Sequence, residues 1–334
     1  KTANLILTCI LSFLFFLKIN RKFQNKFLLI NLSFFILVIP IFALVHQLLV
    51  ESIFFLGFCL LLIYFEQFYE NPSILNSIKL GFAGTATYLL KYTGLTVFFA
   101  ISLFTLIFGL FNKKRLLIKK FLVVFLTFFI LVSPYLYENY MNFNKHIFYN
   151  VNSEFYIWAD SWEEIVDGVR ANNDRIGWPT MDESELPSFS KYVSEHTLSD
   201  AVNRFIYGFK AIGADYFSLE KLGSHISFIT VTTLLMIVYV AFKNKTFNLL
   251  KPNYFDFITI LTVGFIIVSS AFMSYISTGL RYTLPIAIPL FLMVFLKLDK
   301  MLFQSKNIKF SNILFPLIFI DICILANSYF NLLP

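Results

Sequence analysis

The sequence predicts an all-α, polytopic integral membrane protein. Hydrophobic residues make up 58% of the 334 residues and charged residues only 14%, which lies outside the range of a soluble globular domain of this size. Ten apolar stretches reach or approach the roughly 17–25 residues that a helix needs to cross about 30 Å of hydrocarbon. Basic residues cluster in the short loops beside these stretches. These observations predict about ten transmembrane helices with one helical extracytoplasmic segment.

The predicted spans fall into two groups around one long polar passage. Six precede it, at about 3–19, 27–45, 52–66, 78–91, 94–112 and 120–137. Four follow it, at about 225–242, 255–273, 283–298 and 310–328. We therefore divide the chain into residues 1–137 with helices one to six, residues 138–224 as the extracytoplasmic helical segment, and residues 225–334 with helices seven to ten.

The short loops carry basic residues unevenly. Seventeen of the 27 Lys and Arg residues lie beside connections on one side of the predicted bundle: Lys18, Arg21, Lys22, Lys26, Lys79, Lys113, Lys114, Arg115, Lys119, Lys120, Lys243, Lys245, Lys251, Lys297, Lys300, Lys306 and Lys309. Cytoplasmic loops are enriched in Lys and Arg, so this side is predicted to be cytoplasmic and the polar segment to face the other side, together with residue 1. The same clustering accounts for the basic character of the chain, and no nucleic-acid partner is predicted.

The polar passage, from about Pro134 to Ser224, has the opposite charge balance. It holds fourteen of the twenty acidic residues against seven basic ones, so its net charge is −7 whereas that of the chain is +7. Such a split indicates that the two parts face different surroundings.

Three helices are predicted within this passage. Ser161-Trp162-Glu163-Glu164 is a capping box, which predicts a helix from Trp162 to about Ala171. A second helix is predicted over Phe189–Glu195 and a third from about Asp200 to Tyr216. The third helix has apolar residues at helical spacing on one face: Val202, Phe205, Ile206, Phe209 and Ile212. This face could pack on the other two helices or lie on the membrane surface.

Cysteine and histidine spacing favours neither a disulfide framework nor a metal site. Cys9, Cys59 and Cys323 each lie in an apolar run, which predicts packing roles. The four histidines match no metal-binding motif: His46, His146, His196 and His225. An aromatic cluster could stack on a sugar, or could pack in the core or at the membrane interface: Phe148, Tyr149, Phe155, Tyr156, Trp158 and Trp162.

Cations also occur at short connections on the predicted outer side. Lys91 lies between spans four and five, and Arg281 between spans eight and nine. They could bind the phosphate of a lipid whose tail stays between the helices, or they could snorkel to the interface. Glu51 lies in the loop before span three, and its default interpretation is a solvated loop residue. Asp321 lies inside the last predicted span, where a polar contact with a neighbouring helix is favoured over catalysis.

Short motifs surround these positions. They are Leu90-Lys91-Tyr92-Thr93-Gly94-Leu95, Pro134-Tyr135 with Asn139-Tyr140, Arg281-Tyr282-Thr283-Leu284-Pro285, and the acidic residue in Val50-Glu51-Ser52-Ile53-Phe54. Together they resemble the C-type glycosyltransferases. The closest branch is that of the bacterial relatives of dolichyl-phosphate-mannose protein mannosyltransferases and of the aminoarabinose transferase of lipid A.

The resemblance implies transfer of a sugar from a polyprenyl-phosphate donor to a lipid, glycan or protein acceptor, with inversion at the anomeric carbon. It implies an integral protein of the bacterial inner membrane with its active face outside the cytoplasm. On this reading Lys91, Arg281 and Tyr282 contact the donor phosphate. Glu51 is a weaker candidate for the carboxylate that activates the acceptor. No cofactor is assigned, and a divalent metal is the one alternative left open.

One departure from the family pattern concerns the catalytic base. The family places its acidic residue in the first outer loop, whereas this chain begins at Lys1, on the outer side, at what would be the second span. We therefore expect that one helix and that loop are missing, that the intact protein has about eleven helices, and that the base lies outside this chain. The alternatives are an O-antigen-type polymerase or ligase, and a transporter or flippase; the lack of repeated halves argues against the last class.

Overall fold

The computed structural model describes residues 2–33 except 27 and 31, and residues 51–143, 152–167, 187–217, 222–245, 248, 251–274, 280–305 and 320. Every regular element within these ranges is a helix, which confirms the all-α prediction for this part of the chain. The predicted span at 310–328, apart from residue 320, and most of the one at 27–45 fall outside the described residues.

Twelve helices are described with defined bounds. The first five are α1 (Thr2–Asn20), α2 (Glu51–Glu70), α3 (Ile74–Leu90), α4 (Thr93–Phe111) and α5 (Arg115–Phe143). The polar segment contributes α6 (Asn152–Trp158), α7 (Trp162–Ile165), α8 (Phe189–Glu195) and α9 (Leu198–Phe217). The last three are α10 (Leu222–Asn244), α11 (Tyr254–Ser274) and α12 (Leu280–Ser305).

Four helices of the described residues are long and apolar enough to cross a membrane. These segments are Ile53–Glu70 in α2, Thr93–Phe111 in α4, Arg115–Asn142 in α5 and Tyr254–Met273 in α11. Shorter apolar segments, Ile6–Asn20 and Val231–Lys243, lie in α1 and α10. Membrane character is thus supported by several helices, while the count of ten spans stays a prediction.

One end of the bundle gathers the basic connections, and we call it the basic end. There the carboxylate of Asp299 in α12 accepts the backbone NH groups of Gln24 (2.8 Å) and Asn25 (2.7 Å), which follow α1. The ring of Tyr69 at the end of α2 stacks on that of Tyr254 at the start of α11, with centroids 3.7 Å apart. The basic end therefore comprises the last turns of α1, α2, α4 and α12 and the first turn of α11.

Basic residues of the predicted cytoplasmic clusters make contacts at this end. Lys22 pairs with Glu66, and Lys297 with Asp256 at 2.7 Å. The ammonium of Lys114 donates to the backbone carbonyl oxygen of Tyr69 at 3.0 Å. These contacts bring three separate basic clusters together, as the antiparallel order of the predicted spans requires.

The polar segment packs at the opposite end. Helix α9 packs against α10, α11 and α12, and α6 packs against α11. The guanidinium Nε of Arg204 in α9 donates to the carbonyl oxygen of Phe272 at 3.1 Å. Phe272 lies in the last turn of α11, whose first turn lies at the basic end. The described parts of the polar segment are therefore ordered helices that cover this end of the bundle.

Small residues let α3 approach its neighbours closely. A methyl group on Gly81 would lie 2.7 Å from the carbonyl oxygen of Val124 in α5, and one on Gly84 would lie 2.5 Å from the ring of Phe98 in α4. Small residues at helix interfaces permit this contact between membrane helices. They fix α3 against α4 and α5, and thereby fix the turn that carries Lys91.

Helix α5 continues through Pro134. A proline inside a helix provides no NH for the carbonyl four residues earlier, which here is that of Ile130. The hydroxyl of Ser133 donates to that carbonyl oxygen at 2.8 Å. This contact satisfies the acceptor, and the helix extends beyond the predicted end at 137 to Phe143.

The structure tests the helices predicted in the polar segment individually. The helix at 189–195 is confirmed with its bounds. The capping box of Ser161 is confirmed, since its hydroxyl accepts the NH of Glu164 at 3.1 Å, but the Glu164 carboxylate reaches back to the NH of Asp160 instead. The α-helix ends at Ile165, and residues 168–171 of the prediction lie outside the described residues.

Helix α9 begins two residues before its predicted start because Thr197 and Asp200 form a second capping box. Thr197 donates its backbone NH and hydroxyl to the Asp200 carboxylate, and Asp200 donates its NH to the Thr197 hydroxyl. Hydrogen bonds from Thr197 hold the pKa of the Asp200 carboxyl below its usual range.

The apolar residues predicted to share one face of α9 divide between the core of the bundle and an exposed surface. Ile212 is buried and Phe205 packs on the core, whereas three other members of the predicted face are exposed: Val202, Ile206 and Phe209. The buried face instead passes through Arg204, Gly208 and Ile212. Arg204 can lie there because backbone carbonyl groups accept its hydrogen bonds.

Candidate functional site

The predicted donor-phosphate residue Lys91 ends α3 in a tight turn. Its backbone is extended, with φ −158° and ψ 133°, and its NH donates to the carbonyl oxygen of Thr87. Only Lys91 and Tyr92 separate α3 from α4, and the NH of Gly94 donates to the carbonyl oxygen of Lys91 at 2.8 Å. Lys91 is therefore held between two packed helix ends.

Gly94 makes this turn possible. A methyl group on Gly94 would lie 2.3 Å from the Thr87 carbonyl oxygen, which is a backbone atom and cannot move aside alone. The glycine of the Lys91-Tyr92-Thr93-Gly94 motif is thus explained by local packing. Glycine at its last position lets the first turn of α4 contact the last turn of α3.

The start of α2 lies beside Lys91. The Lys91 ammonium is 5.9 Å from the centroid of the Phe54 ring, within the range of a cation–π contact. Phe54 lies three residues after Glu51, so the two share one face of the helix end. The structure thus brings Lys91 to the end of α2 that Glu51 begins, while the Glu51 side chain lies outside the described residues.

Arg281 and Tyr282 lie in the first turn of α12. Their side chains, and the connection at 275–279, lie outside the described residues. Helix α12 ends at the basic end, so its first turn is at the opposite end, as is Lys91. The distance between Lys91 and Arg281 is therefore still a prediction.

A cavity of about 400 Å³ lies at the same end of the bundle, in the polar segment. It is lined by residues of α8, α9 and the turn after α6: Asp160, Tyr192, His196, Asp200, Asn203, Arg204 and Tyr207. We call it the Asp160 cavity. Its lining combines carboxylate, amide, phenol, imidazole and guanidinium groups.

Arg204 anchors this cavity to the bundle. Its side chain is only 4% exposed, and its Nη2 donates to the carbonyl oxygens of Ile157 (2.9 Å) and Ala159 (2.8 Å). The guanidinium lies 4.5 Å from the centroid of the Phe272 ring. Hydrogen bonds to several carbonyl groups compensate the cost of burying the charge.

Asp160 contacts two nitrogen-bearing side chains and still meets solvent. Its Oδ1 lies 3.3 Å from Nη1 of Arg204, and its Oδ2 lies 3.1 Å from Nε2 of His196. The Asp160 side chain is 53% exposed, compared with 22% for His196. The carboxylate is therefore oriented by fixed neighbours while its remaining lone pairs stay accessible.

His196 is held by Tyr192, one turn before it. The two rings stack with centroids 4.1 Å apart, and Nδ1 of His196 lies 3.0 Å from the Tyr192 carbonyl oxygen. Both ring nitrogens thus lie beside oxygen atoms, which fixes the orientation of the ring.

The aromatic residues near the cavity serve in packing. Phe155 is buried, and the Trp158 ring contacts the rings of Tyr192 and Phe272 at centroid distances of 5.6 Å. Of the three uses predicted for the aromatic cluster, core packing is confirmed for Phe155 and Trp158. Phe148 and Tyr149 lie outside the described residues.

Sequence reasoning missed the convergence of Asp160, His196 and Arg204. Their separations of up to 44 residues leave no local motif. One usable signal was the spacing of Arg204, Gly208 and Ile212. They are four residues apart and therefore share one face of α9, and this face is buried. Among the described residues, no three His, Cys, Asp or Glu side chains are grouped closely enough to hold a metal ion.

Comparisons with known protein families, with curated proteins and with solved structures find no match for this chain.

Proposed function

We propose that this chain is part of a membrane glycosyltransferase that moves a sugar from a polyprenyl-phosphate donor to an acceptor hydroxyl. In this reaction the acceptor oxygen bonds to the anomeric carbon, and the bond from that carbon to the phosphate oxygen breaks. A base takes the acceptor proton, and polyprenyl phosphate leaves. Cations that meet the phosphate stabilise the charge that develops on it.

The observation that carries this proposal is the presence of Lys91 and the Asp160 cavity at the same end of the helix bundle. Lys91 lies beside the first turns of the apolar helices α2 and α4, where a polyprenyl chain can stay in the membrane while its phosphate meets the ammonium. We assign Lys91, with Arg281 and Tyr282, to the donor phosphate. Glu51, at the neighbouring end of α2, is the candidate base within this chain.

We assign the Asp160 cavity to the acceptor, whether a lipid, a glycan or a protein. Its volume of about 400 Å³ suits a small ligand, and Asp160, Asn203 and Tyr207 supply groups that hydrogen-bond to hydroxyls. One oxygen of Asp160 already faces the Arg204 guanidinium and the other faces the His196 imidazole, so we assign Asp160 to binding the acceptor and not to taking its proton.

The test uses the full-length protein in proteoliposomes with a mixture of polyprenyl-phosphate hexoses and pentoses as donors and a cell-envelope extract that supplies lipid, glycan and protein acceptors. The readout is polyprenyl phosphate released on sugar transfer, measured by mass spectrometry. We expect release by the wild type, a loss of roughly tenfold or more in Lys91→Ala, and little change in the matched control Lys79→Ala, which removes a cation from the other end of α3.

Two results would overturn the proposal. One is movement of the donor lipid across the bilayer without release of polyprenyl phosphate, which would identify a transporter or flippase. The other is an equal loss of release in Lys79→Ala and Lys91→Ala, because a general effect of charge on insertion or folding would then explain both.

A further inference from the structure

A second cavity, of about 410 Å³, lies among the helix ends of the basic end. Lysines from three parts of the chain line it: Lys22 after α1, Lys251 before α11, and Lys297 and Lys300 in α12. This cavity and the Asp160 cavity lie at opposite ends of α11. Asp256, in the first turn of α11, lines the basic-end cavity, whereas Phe272, in the last turn, accepts a hydrogen bond from Arg204 of the Asp160 cavity.

The three carboxylates in this basic-end cavity already have donors. Glu66 pairs with Lys22. Asp256 pairs with Lys297 at 2.7 Å and also accepts the NH of Asn253 at 3.0 Å. Asp299, as described above, accepts two backbone NH groups.

These contacts leave two cations for a ligand. Within the described part of the chain, the ammonium groups of Lys251 and Lys300 have no ion-pair partner, and both residues are exposed. They approach the cavity from different elements, one from the segment before α11 and the other from α12. Two such lysines fit the phosphate of an anionic ligand, because each ammonium supplies a point charge and several donors.

An apolar side chain adjoins these lysines. Phe303, one turn after Lys300, lines the cavity and is 63% exposed. Cations beside exposed apolar surface, at the end of membrane helices, match a lipid whose headgroup is charged and whose tail is apolar. Basic pockets between transmembrane helices bind anionic headgroups in this way.

We propose that the basic-end cavity binds the phosphate headgroup of an anionic phospholipid. Lys251 and Lys300 meet the phosphate, Phe303 contacts the start of an acyl chain, and the Lys22–Glu66 and Lys297–Asp256 pairs hold the walls. This site is independent of the proposed sugar transfer, since it lies at the other end of the bundle.

The experiment compares the full chain in nanodiscs of phosphatidylcholine alone and with a rising share of phosphatidylglycerol. Native mass spectrometry then measures which lipids stay bound. We expect the wild type to retain phosphatidylglycerol preferentially. The double variant Lys251→Gln/Lys300→Gln should lose roughly 25-fold in that preference, because each lysine near an anionic surface contributes about fivefold. Both lysines are exposed, so the variant should keep the wild-type melting temperature.

The matched control is Arg115→Gln/Lys119→Gln, which removes two exposed cations from the basic end but outside the cavity. It should keep the preference. Equal losses in both double variants would mean general attraction to the surface and would overturn the proposal. So would the absence of any preference in the wild type. Inorganic phosphate is added as a competitor. If it displaces bound phosphatidylglycerol as effectively as additional phosphatidylglycerol does, the proposal is overturned and the ligand of the cavity is free phosphate.

Discussion

The carbonyl oxygen of Thr87 lies 2.3 Å from the point at which a methyl group on Gly94 would stand. Both positions belong to regular helices, so the contact joins the last turn of α3 to the first turn of α4. The turn that carries Lys91 therefore requires a residue without a Cβ atom, glycine, at position 94.

The variant Gly94→Ala should destabilise the protein by about 1–3 kcal/mol, because the backbone must shift to admit the methyl group. The melting temperature in detergent measures this. Gly264→Ala in α11 is the matched control, since a methyl group there meets no atom of the described residues within 4 Å. Alanine in a helix is preferred over glycine by about 0.5–1 kcal/mol, so the control should melt at the same temperature or higher. A Gly94→Ala protein as stable as the control would contradict the described packing.

A second prediction concerns the anchor of the polar segment. Arg204→Met should destabilise the segment by about 2–3 kcal/mol, because the carbonyl groups of Ile157, Ala159 and Phe272 each lose a charged donor. Arg204→Lys should restore little, since one ammonium cannot replace the planar set of donors. Hydrogen exchange over 152–165 and 189–217 is the measurement.

The control for this variant is Lys210→Met, which removes an exposed cation from the same helix. It should leave exchange in both ranges unchanged. If Arg204→Met also leaves exchange unchanged, Arg204 does not hold the segment to α11.

Local patterns predicted much of the fold. Runs of apolar residues marked α2, α4, α5 and α11, and a capping box marked the start of α7 at Trp162. The end of α5 was predicted too early, at residue 137. The Ser133 hydroxyl, in the same helix, satisfies the Ile130 carbonyl group that Pro134 leaves without an NH, and the helix continues to Phe143.

The site was less predictable because it depends on contacts between distant segments. Lys91 could be selected, since a cation in a short outer connection contradicts the charge bias of the loops. Asp160 and His196 could not, because each resembles any solvated polar residue until α6, α8 and α9 meet. Arg204 holds these helices together from a buried position. A search for apolar periodicity counts only hydrophobic side chains, so it does not identify Arg204 as buried.

A third prediction concerns the orientation of the chain in the membrane. Single cysteines are introduced at Arg115 and at Asn172 in a variant whose native cysteines are replaced. The uneven loop charges predict that Cys at position 172 reacts with an impermeant reagent in intact cells and that Cys at position 115 reacts only after permeabilisation. The reverse pattern would invert the assignment of both bundle ends.

The last prediction concerns Lys91 and Arg281, which we expect near each other at the mouth of a cavity that admits a polyprenyl phosphate. Arg281→Ala should remove a charge-assisted bidentate contact worth about 1.5–3 kcal/mol, or roughly ten- to a hundredfold in donor affinity. Arg281→Lys should recover only part of this loss, because a lysine binds phosphate as a point charge.

Snorkelling predicts a different outcome, and the two can be separated. A residue that only anchors a helix at the interface is replaced freely by lysine, and its loss appears as poorer membrane insertion with donor affinity unchanged. Donor-lipid binding by the full-length protein is therefore measured beside the inserted fraction of each variant. A double-mutant cycle between Lys91→Ala and Arg281→Ala completes the test. If both bind one phosphate, their losses are not additive. Additive losses in donor affinity would show that Lys91 and Arg281 act at separate sites, and would contradict the hypothesis that they bind one phosphate.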